Sequence, residues 1–311
     1  MPCAVPPLVF VLGPTAVGKS SLVLEHLSDA CEIINGDSQQ VYRRLDIGSA
    51  KPTAEQQARL PHHLIDICDP AEQYSVGRFV REAEALIPQI IERGKIPIVL
   101  GGSGFYIRNL IYGLPEAPVA SALHRDSLMR ELTERGARSM HHELSRVDET
   151  SAARITPSDR YRIVRALEVY RTTGRPLSSF DVGEVPRGDY SLLIIGLQRP
   201  REELYERIER RVDSMFANRL VDEVRHILEL GYTPDSPGLR GIGYRELLSG
   251  QSQSDAIETI KRNSRRYAKR QMTFFRRLSA VKWYTPDQAG EIRDVIIAHA
   301  GKITASETIW V

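Results

Sequence analysis

The chain is poor in cysteine, in lysine and in uninterrupted apolar sequence, and each shortage excludes something. Its three cysteines, Cys3, Cys31 and Cys68, are odd in number and show neither a CxxC spacing nor a neighbouring His pair. No disulfide framework or zinc site is expected, and a reducing compartment fits. No segment approaches the roughly 20 apolar residues that span a bilayer. The apolar run in MPCAVPPLVFVLGPTAVGKS lacks a basic region before it and is broken by Pro and Gly, so no signal peptide, no membrane partner and a cytoplasmic location are expected. Only 7 of the 42 basic residues are Lys, a bias that suits bidentate phosphate recognition and equally a GC-rich genome. There is no internal repeat and no low-complexity tract. At 311 residues with 41% hydrophobic and 26% charged side chains, the chain can bury a substantial core in one large domain or two smaller ones.

The net charge of +2 hides a gradient: residues 1–115, 116–200 and 201–311 carry −2, +1 and +3. Within 261–277, KRNSRRYAKRQMTFFRR, there are eight basic residues and no acidic one. A solvated helix face is one reading. Uncompensated cations repel one another, however, and an anionic partner is the reading favoured here.

Short apolar runs at Leu8–Leu12, Glu32–Asn35, His63–Ile67, Ile96–Leu100, Leu192–Leu197 and Val281–Tyr284 read as buried strands. Helix-like stretches at Ser20–Leu27 and Val76–Glu92 alternate with the first four, which predicts an α/β fold with a parallel sheet covered by helices. From Glu116 to Arg187 the strand signal disappears and amphipathic helices such as Leu123–Glu134 and Arg160–Tyr170 replace it. Thr156-Pro157-Ser158-Asp159 offers a cap at Thr156, and Gly174 a C-terminal stop. Residues 116–187 are therefore expected to be a helical insertion between a first core part, 1–115, and a second, 188–311. Two long helices are predicted in the second part: one from Pro200 to Gly231, the other over 253–278 with Ile257, Ile260, Tyr267, Phe274 and Leu278 on its core-facing stripe.

Gly13-Pro14-Thr15-Ala16-Val17-Gly18-Lys19-Ser20 matches G-x-x-x-x-G-K-[ST] between a strand and a helix, the context that motif requires. Its backbone N–H groups form an anion cradle, Lys19 reaches terminal phosphate oxygens, and the Ser20 hydroxyl can ligand Mg²⁺. Nucleotide binding, ATP included, belongs to that expectation. Asn35-Gly36-Asp37-Ser38-Gln39-Gln40-Val41-Tyr42 follows the second strand at its C-terminal end, where ligands bind in open α/β sheets. Asp37 there can orient Mg²⁺ or accept a proton from a nucleophile; as a bland alternative it is a helix N-cap. Ser38, Gln39 and Gln40 resemble a polar rim able to read a base edge.

The runs GPTAVGKS, INGDSQQVYRRLDIGSAKPT, HHLIDICDP, IPIVLGGSGFYIRNL, ARITPSDRYRIVRALEVYRTTGRPLS, RVDSMFANRLVDEV, RGIGYREL and AKRQMTFFRRL, in that order, resemble the bacterial tRNA dimethylallyltransferase (tRNA isopentenyltransferase) family from about residue 8 to 285. The resemblance implies a P-loop NTPase-like sheet core with an inserted all-helical domain, the latter contacting tRNA; the interposed position of residues 116–187 suggests a lid that closes on the RNA. It implies transfer of a dimethylallyl group from dimethylallyl diphosphate to the exocyclic amine of the adenine just 3′ of the anticodon, with Mg²⁺ and with release of diphosphate, and no obligate protein partner. By the same resemblance Asp37 would be the general base, and Thr15, Lys19, Ser20 and Arg211 would neutralise the departing diphosphate. Without it, Arg211 reads equally as a surface helix charge. The tRNA would be held by Asp37–Gln40 and Ser103 at the extruded base. Further contacts would come from Arg160, Tyr161, Arg162, Ile163, Val164 and Arg165, from Arg240, Gly241, Ile242, Gly243, Tyr244 and Arg245, and from Arg270, Arg276 and Arg277 in the basic tract. Tyr106 would either stack on a base or sit in the core. Ser20 and Ser103 stand where Thr is commoner in that family, and Asn218-Arg219 replaces small residues. The chain ends at Val311 without a Cys/His extension, as the bacterial form does.

The competing enzymatic reading is a P-loop kinase acting on a small molecule or nucleic-acid end, with Asp66 or Asp69 of HLIDICD holding Mg²⁺. A non-enzymatic one is an RNA-binding protein with a vestigial P-loop.

Overall fold

The computed structural model describes residues 5–115, 117, 122–180 and 183–304; Cys3, Glu116 and Val311 lie outside them. The chain forms two compact units, Met1–Ile111 with Pro186–Val311, and Tyr112–Val185.

In the larger unit, β1 (Pro7–Leu12), α1 (Lys19–His26), β2 (Cys31–Asn35), α2 (Ala54–Arg59), β3 (His62–His63), α3 (Val76–Glu92), β4 (Ile96–Gly101) and α4 (Gly104–Tyr112) precede the helical unit. That unit holds α5 (Ala122–Arg135), α6 (Ala137–Val147), α7 (Glu149–Arg154) and α8 (Arg160–Thr173). The larger unit resumes with β5 (Ser191–Leu197), α9 (Arg201–Ala217), α10 (Leu220–Glu229), α11 (Tyr244–Leu247), α12 (Gln253–Phe275), β6 (Val281–Tyr284) and α13 (Ala289–Thr304).

The six strands form one parallel sheet in the order β3-β2-β4-β1-β5-β6, with helices on both sides. Continuous apolar runs such as LVFVL and IIN are buried along their whole length, as expected of strands covered on both faces. Leu22 and Val23 of α1, Leu204 and Ile208 of α9, Ala268 of α12, and Ile292 and Ile296 of α13 pack into the same core. Because all strands run one way, their C-terminal ends lie along one edge. The loops after β1, β2, β4 and β5 therefore converge there.

In the helical unit Leu128, Leu132, Met140, Leu144, Ile155, Ile163, Val164 and Leu167 form a separate core. Arg171 of α8 bridges Glu131 of α5 and Glu143 of α6 at 2.6 Å each.

Four sequence expectations change. The strand expected at His63–Ile67 stops at His63, because Leu64 and Asp66 have left-handed backbones at φ 62° and 56°, which a strand cannot accommodate. The start of α8 is capped by Asp159, whose carboxylate accepts from Arg162 N–H at 3.1 Å; a carboxylate at a helix N-terminus also meets the positive end of the dipole, which the Thr156 hydroxyl does not. The single helix expected from Pro200 to Gly231 is two, broken where Arg219 turns left-handed at φ 69°. On α12 the buried stripe runs through Ala256, Ile260, Ala268, Gln271 and Phe275, so Phe274 is only half-buried.

Candidate active site

The P-loop leaves β1 at Gly13 and enters α1 at Lys19. Gly18 takes a left-handed conformation at φ 111°, which lets the chain turn so that the first N–H groups of α1 face outward, the geometry an anion requires. Val17 is fully buried and anchors the loop in the core. Two arginines that sequence reasoning passed over grip the loop from outside. Arg199 Nε donates to Val17 O at 2.9 Å, and Arg207 Nε to Ala16 O at 2.8 Å. Gln271 of α12 adds a further tie: it accepts the Thr15 N–H at 2.9 Å and donates to Gly102 O at 2.8 Å. One of the cradle's N–H groups is thus already used to tie the P-loop to α12 and to the loop after β4.

Lys19 Nζ rests on Gly13 O and Pro14 O at 3.0 and 2.9 Å. Burial drives its pKa down to about 8, with the Asp37 charge opposing and the Arg211 charge reinforcing the fall. Burial likewise lowers Arg211, and Asp37 again opposes it. The one carboxylate therefore supports two cations that water supports poorly, the electrostatics of a site suited to an anion.

Asp37 is held by its neighbours. Its N–H donates to Asn35 Oδ1 at 3.2 Å, and Asn35 Nδ2 donates to Asp37 O at 3.2 Å and to Leu64 O at 3.1 Å. Asp37 Oδ1 accepts from Gln39 N–H at 2.8 Å. The following residues form turns, not a helix, so the N-cap alternative falls. Ser103, after β4, accepts the Ser38 N–H on its hydroxyl at 2.8 Å. Thr15, Lys19, Ser20, Asp37, Arg211, Tyr267 and Gln271 share one small cavity of about 90 Å³.

That cavity continues, through Thr15, Asp37, Arg211 and Tyr267, into one of about 260 Å³. Ile208, Val212 and Met215 of α9 and Ile260 of α12 give the larger space an apolar wall, and Arg240, Arg245 and Arg270 line it as well. A third space of about 410 Å³ places Lys19 and Ser20 with Arg207, Arg210 and Arg211. Tyr267, expected only as a core residue, is a site residue; burial and the Asp37 charge raise its pKa. Its signal was present in the sequence: it falls between Ile260 and Gln271 on the α12 stripe that faces the P-loop.

The loop at 46–50 completes the wall. Glu223 of α10 accepts the N–H groups of Asp46, Ile47 and Gly48 at 2.9, 2.8 and 3.2 Å and the Tyr244 hydroxyl at 2.8 Å. The loop's carbonyls then accept hydrogen bonds: Gln40 Nε2 donates to Ser49 O and Ala50 O at 3.3 and 3.1 Å, and Arg211 Nη2 to Ser49 O at 3.5 Å.

Several expected RNA contacts are corrected. Ile163 and Val164 are 0% and 2% exposed in the helical core, so on α8 only its outward face, with Arg160, Tyr161 and Arg162, is open to a ligand. Arg165 pairs with the buried Glu168 at 2.9 Å. In RGIGYR, Gly243 and Tyr244 are buried, whereas Arg240, Gly241, Ile242 and Arg245 line the cavity. Gln40 braces the 46–50 loop, and it is Gln39 that faces the larger cavity, with its Oε1 buried and unpartnered. Tyr106 belongs to the core, stacked on Phe79 at 4.5 Å. Of the eight cations in 261–277, Lys261 and Arg265 are neutralised by Asp213 and Glu209 of α9 at 2.7 and 2.6 Å; Arg270, Arg276 and Arg277 are exposed.

Asp66 pairs with Lys51 at 2.5 Å, and Asp69 accepts from Tyr232 at 2.8 Å. Neither lines the P-loop cavities, so neither is placed to hold Mg²⁺ as the kinase reading requires of them. Among the described residues no cluster of three or more His, Cys, Asp or Glu side chains would hold a metal, and Cys31 and Cys68 are buried and free. The donors that are present suit Mg²⁺ bound largely through a ligand's phosphate oxygens: the Ser20 hydroxyl and the Asp37 carboxylate line one cavity, and Mg²⁺ characteristically takes one or two protein oxygens and keeps several waters. Among the described residues no helix is long and apolar enough to cross a membrane.

The sequence model of the IPP transferase family matches residues 40–278. A tRNA dimethylallyltransferase of Geobacter sulfurreducens is 46% identical over 283 residues, covering 89% of this chain and 91% of that protein; one of Pelotomaculum thermopropionicum is 43% identical over 286 residues, 89% and 90%. Among solved structures, a full-length tRNA isopentenylpyrophosphate transferase of Bacillus halodurans superimposes with a TM-score of 0.69 at 38% identity, covering 97% of this chain and 99% of that one. A eukaryotic dimethylallyltransferase described as acting on tRNA gives 0.72 at 28% identity, covering 86% and 69%.

Proposed function

The chain belongs to the IPP transferase family, and on that premise we infer that it is a tRNA-modifying prenyltransferase. It moves a dimethylallyl group from dimethylallyl diphosphate to the exocyclic amine of the adenine immediately 3′ of the anticodon. The observation that carries this reading is the continuity of the cavities. A P-loop lysine, a buried arginine and a carboxylate share one space with an apolar wall and an arginine-lined mouth, the three environments that a diphosphate, a short branched alkene and an RNA base each require.

In the reaction the adenine nitrogen forms a bond to the terminal carbon of the dimethylallyl group as the carbon–oxygen bond to diphosphate breaks. The nitrogen's surplus proton passes to Asp37. Asn35 and the Gln39 N–H fix the Asp37 loop, so little reorganisation is needed at that moment. Negative charge develops on the bridging oxygen of the leaving diphosphate, where Thr15, Lys19, Ser20 and Arg211 stabilise it, with Arg207 and Arg210 adding to the field. Mg²⁺, held by Ser20 and the diphosphate itself, would supply further charge neutralisation. The apolar wall of Ile208, Val212, Met215 and Ile260 excludes water from the reacting carbon. Gln39 lines the larger cavity, where a base edge would enter. Arg160, Tyr161 and Arg162 of the helical unit and Arg240, Arg245, Arg270, Arg276 and Arg277 would contact the RNA.

The test is direct. Protein incubated with Mg²⁺, tRNA and radiolabelled dimethylallyl diphosphate labels the tRNA, whereas transfer of label only from γ-labelled ATP would overturn the assignment. Asp37→Ala should lower kcat/KM at least a thousandfold while tRNA affinity at fixed salt stays within about tenfold; parallel collapse of binding would remove Asp37 from the role of base.

A further inference from the structure

Phe105 is 57% exposed, an unfavourable position for an aromatic ring on an otherwise ordinary surface. It is not isolated. It packs on Phe274 of α12 at a centroid distance of 5.9 Å, and Phe274 meets the fully buried Phe275 edge-on at 6.0 Å. Three rings thus run from the core to solvent as a supported ladder, with Phe105 as its outer rung. The sequence keeps space for the ladder: a Cβ on Gly104 would lie 2.6 Å from the Phe274 ring. Ser103, two residues before Phe105, is tied to the Asp37 loop through Ser38 N–H, so the platform starts from a segment hydrogen-bonded to the loop of the catalytic carboxylate. Arg270 stands one turn before Phe274 on α12, and Arg277 three residues after it, just past the helix end; both are exposed.

We propose that Phe105, backed by Phe274, is a stacking platform for an unpaired nucleobase adjacent to the target adenine in the substrate RNA. This rests on the prenyltransferase reading and adds to it a residue that determines how the RNA is held. When an adenine leaves its stack, each flanking base loses a stacking neighbour and exposes a π-face. An aromatic ring beside the site can replace that neighbour whatever the base, while the neighbouring arginines meet the phosphates of the same strand. Phe105 acts on binding of the RNA and touches neither the diphosphate nor the reacting carbon.

The experiment is a double-mutant cycle using wild-type protein and Phe105→Ala with anticodon stem–loop RNAs that are intact or abasic at the nucleotide 5′ or 3′ of the target adenine. With intact RNA, Phe105→Ala raises KM for RNA about tenfold, while kcat falls less than KM rises and affinity for dimethylallyl diphosphate is unchanged. With one of the two abasic RNAs that penalty shrinks below twofold, a comparison made on the same protein and therefore insensitive to any loss of folded material. Phe105→Trp keeps KM near wild type and Phe105→Leu does not. A Phe105→Leu protein as effective as wild type, no KM change in Phe105→Ala, or an undiminished penalty with both abasic RNAs would each overturn the platform. Failure of the wild-type protein to label RNA would instead overturn the prenyltransferase reading.

Discussion

A carboxylate's role in this protein depends on its neighbours, and two acids on the same strand and its loop show the contrast. Asp37, at the C-terminal end of β2, faces Lys19 and Arg211, cations whose own charge is disfavoured by burial; removing it would leave them repelling one another until a diphosphate arrives. Glu32, at the other end of β2, is 5% exposed and is held by Arg93 at 2.7 Å and His63 at 2.7 Å. The Arg93 hydrogen bonds, helped by His63, outweigh burial and bring its pKa down to about 2. A depressed carboxylate pKa gives stability that is present above the unfolded value near 4.5 and is lost as pH falls toward 2. Glu32→Gln should therefore cost about 2 kcal/mol at pH 7, the full shift being discounted because Arg93 stands in water. Urea titrations at pH 7 and pH 2.5 check this: the wild-type advantage should fall to about a quarter of its pH 7 value at the lower pH.

At the scale of elements, the sequence pattern revealed which segments are strands but not how one element disciplines another. The P-loop was legible because its chemistry is local: the eight residues Gly13–Ser20, four of them in fixed positions, carry it. The grip on that loop by Arg199, Arg207 and Gln271 was not, since those residues lie between 182 and 256 positions away and no local spacing joins them. Glu223 is a sharper case. As one acid on a helix it is unremarkable in sequence, yet it collects three backbone N–H groups and a tyrosine hydroxyl, and so shapes the loop that receives Gln40 and Arg211. Removing this half-buried acceptor leaves four donors without their partner. Glu223→Ala should lower unfolding free energy by about 3 kcal/mol and reduce kcat more than the affinity for RNA, because Arg211 loses its support; chemical denaturation and single-turnover rates check both.

For the whole molecule, the charge gradient along the chain becomes a spatial division of labour. Lys261 and Arg265 are neutralised by α9, so the basic tract is smaller as a binding surface than as a string of letters, and its free charge lies at positions such as Arg276 and Arg277. Polyanion binding releases counterions in proportion to the phosphates contacted, with a slope of roughly 0.7–0.9 per contact. Replacing Arg276 and Arg277 by Ala should reduce the slope of log affinity for tRNA against log salt by about 1.5, whereas Arg265→Ala should change it by less than about 0.5. Filter-binding titrations between low and moderate salt measure both.

The sequence alone determined the α/β class, the P-loop, the acid beside it and the family resemblance, because these rest on periodicity and on short motifs whose residues act on their immediate neighbours. Tertiary structure alone decided which members of a motif face the ligand. A helix such as α8 turns successive residues about 100° apart, so RYRIVR must divide between core and surface, and only packing sets where the division falls. For the same reason Tyr106 went to the core and its neighbour Phe105 to the surface, a choice that depends on the ring of Phe79 on another helix.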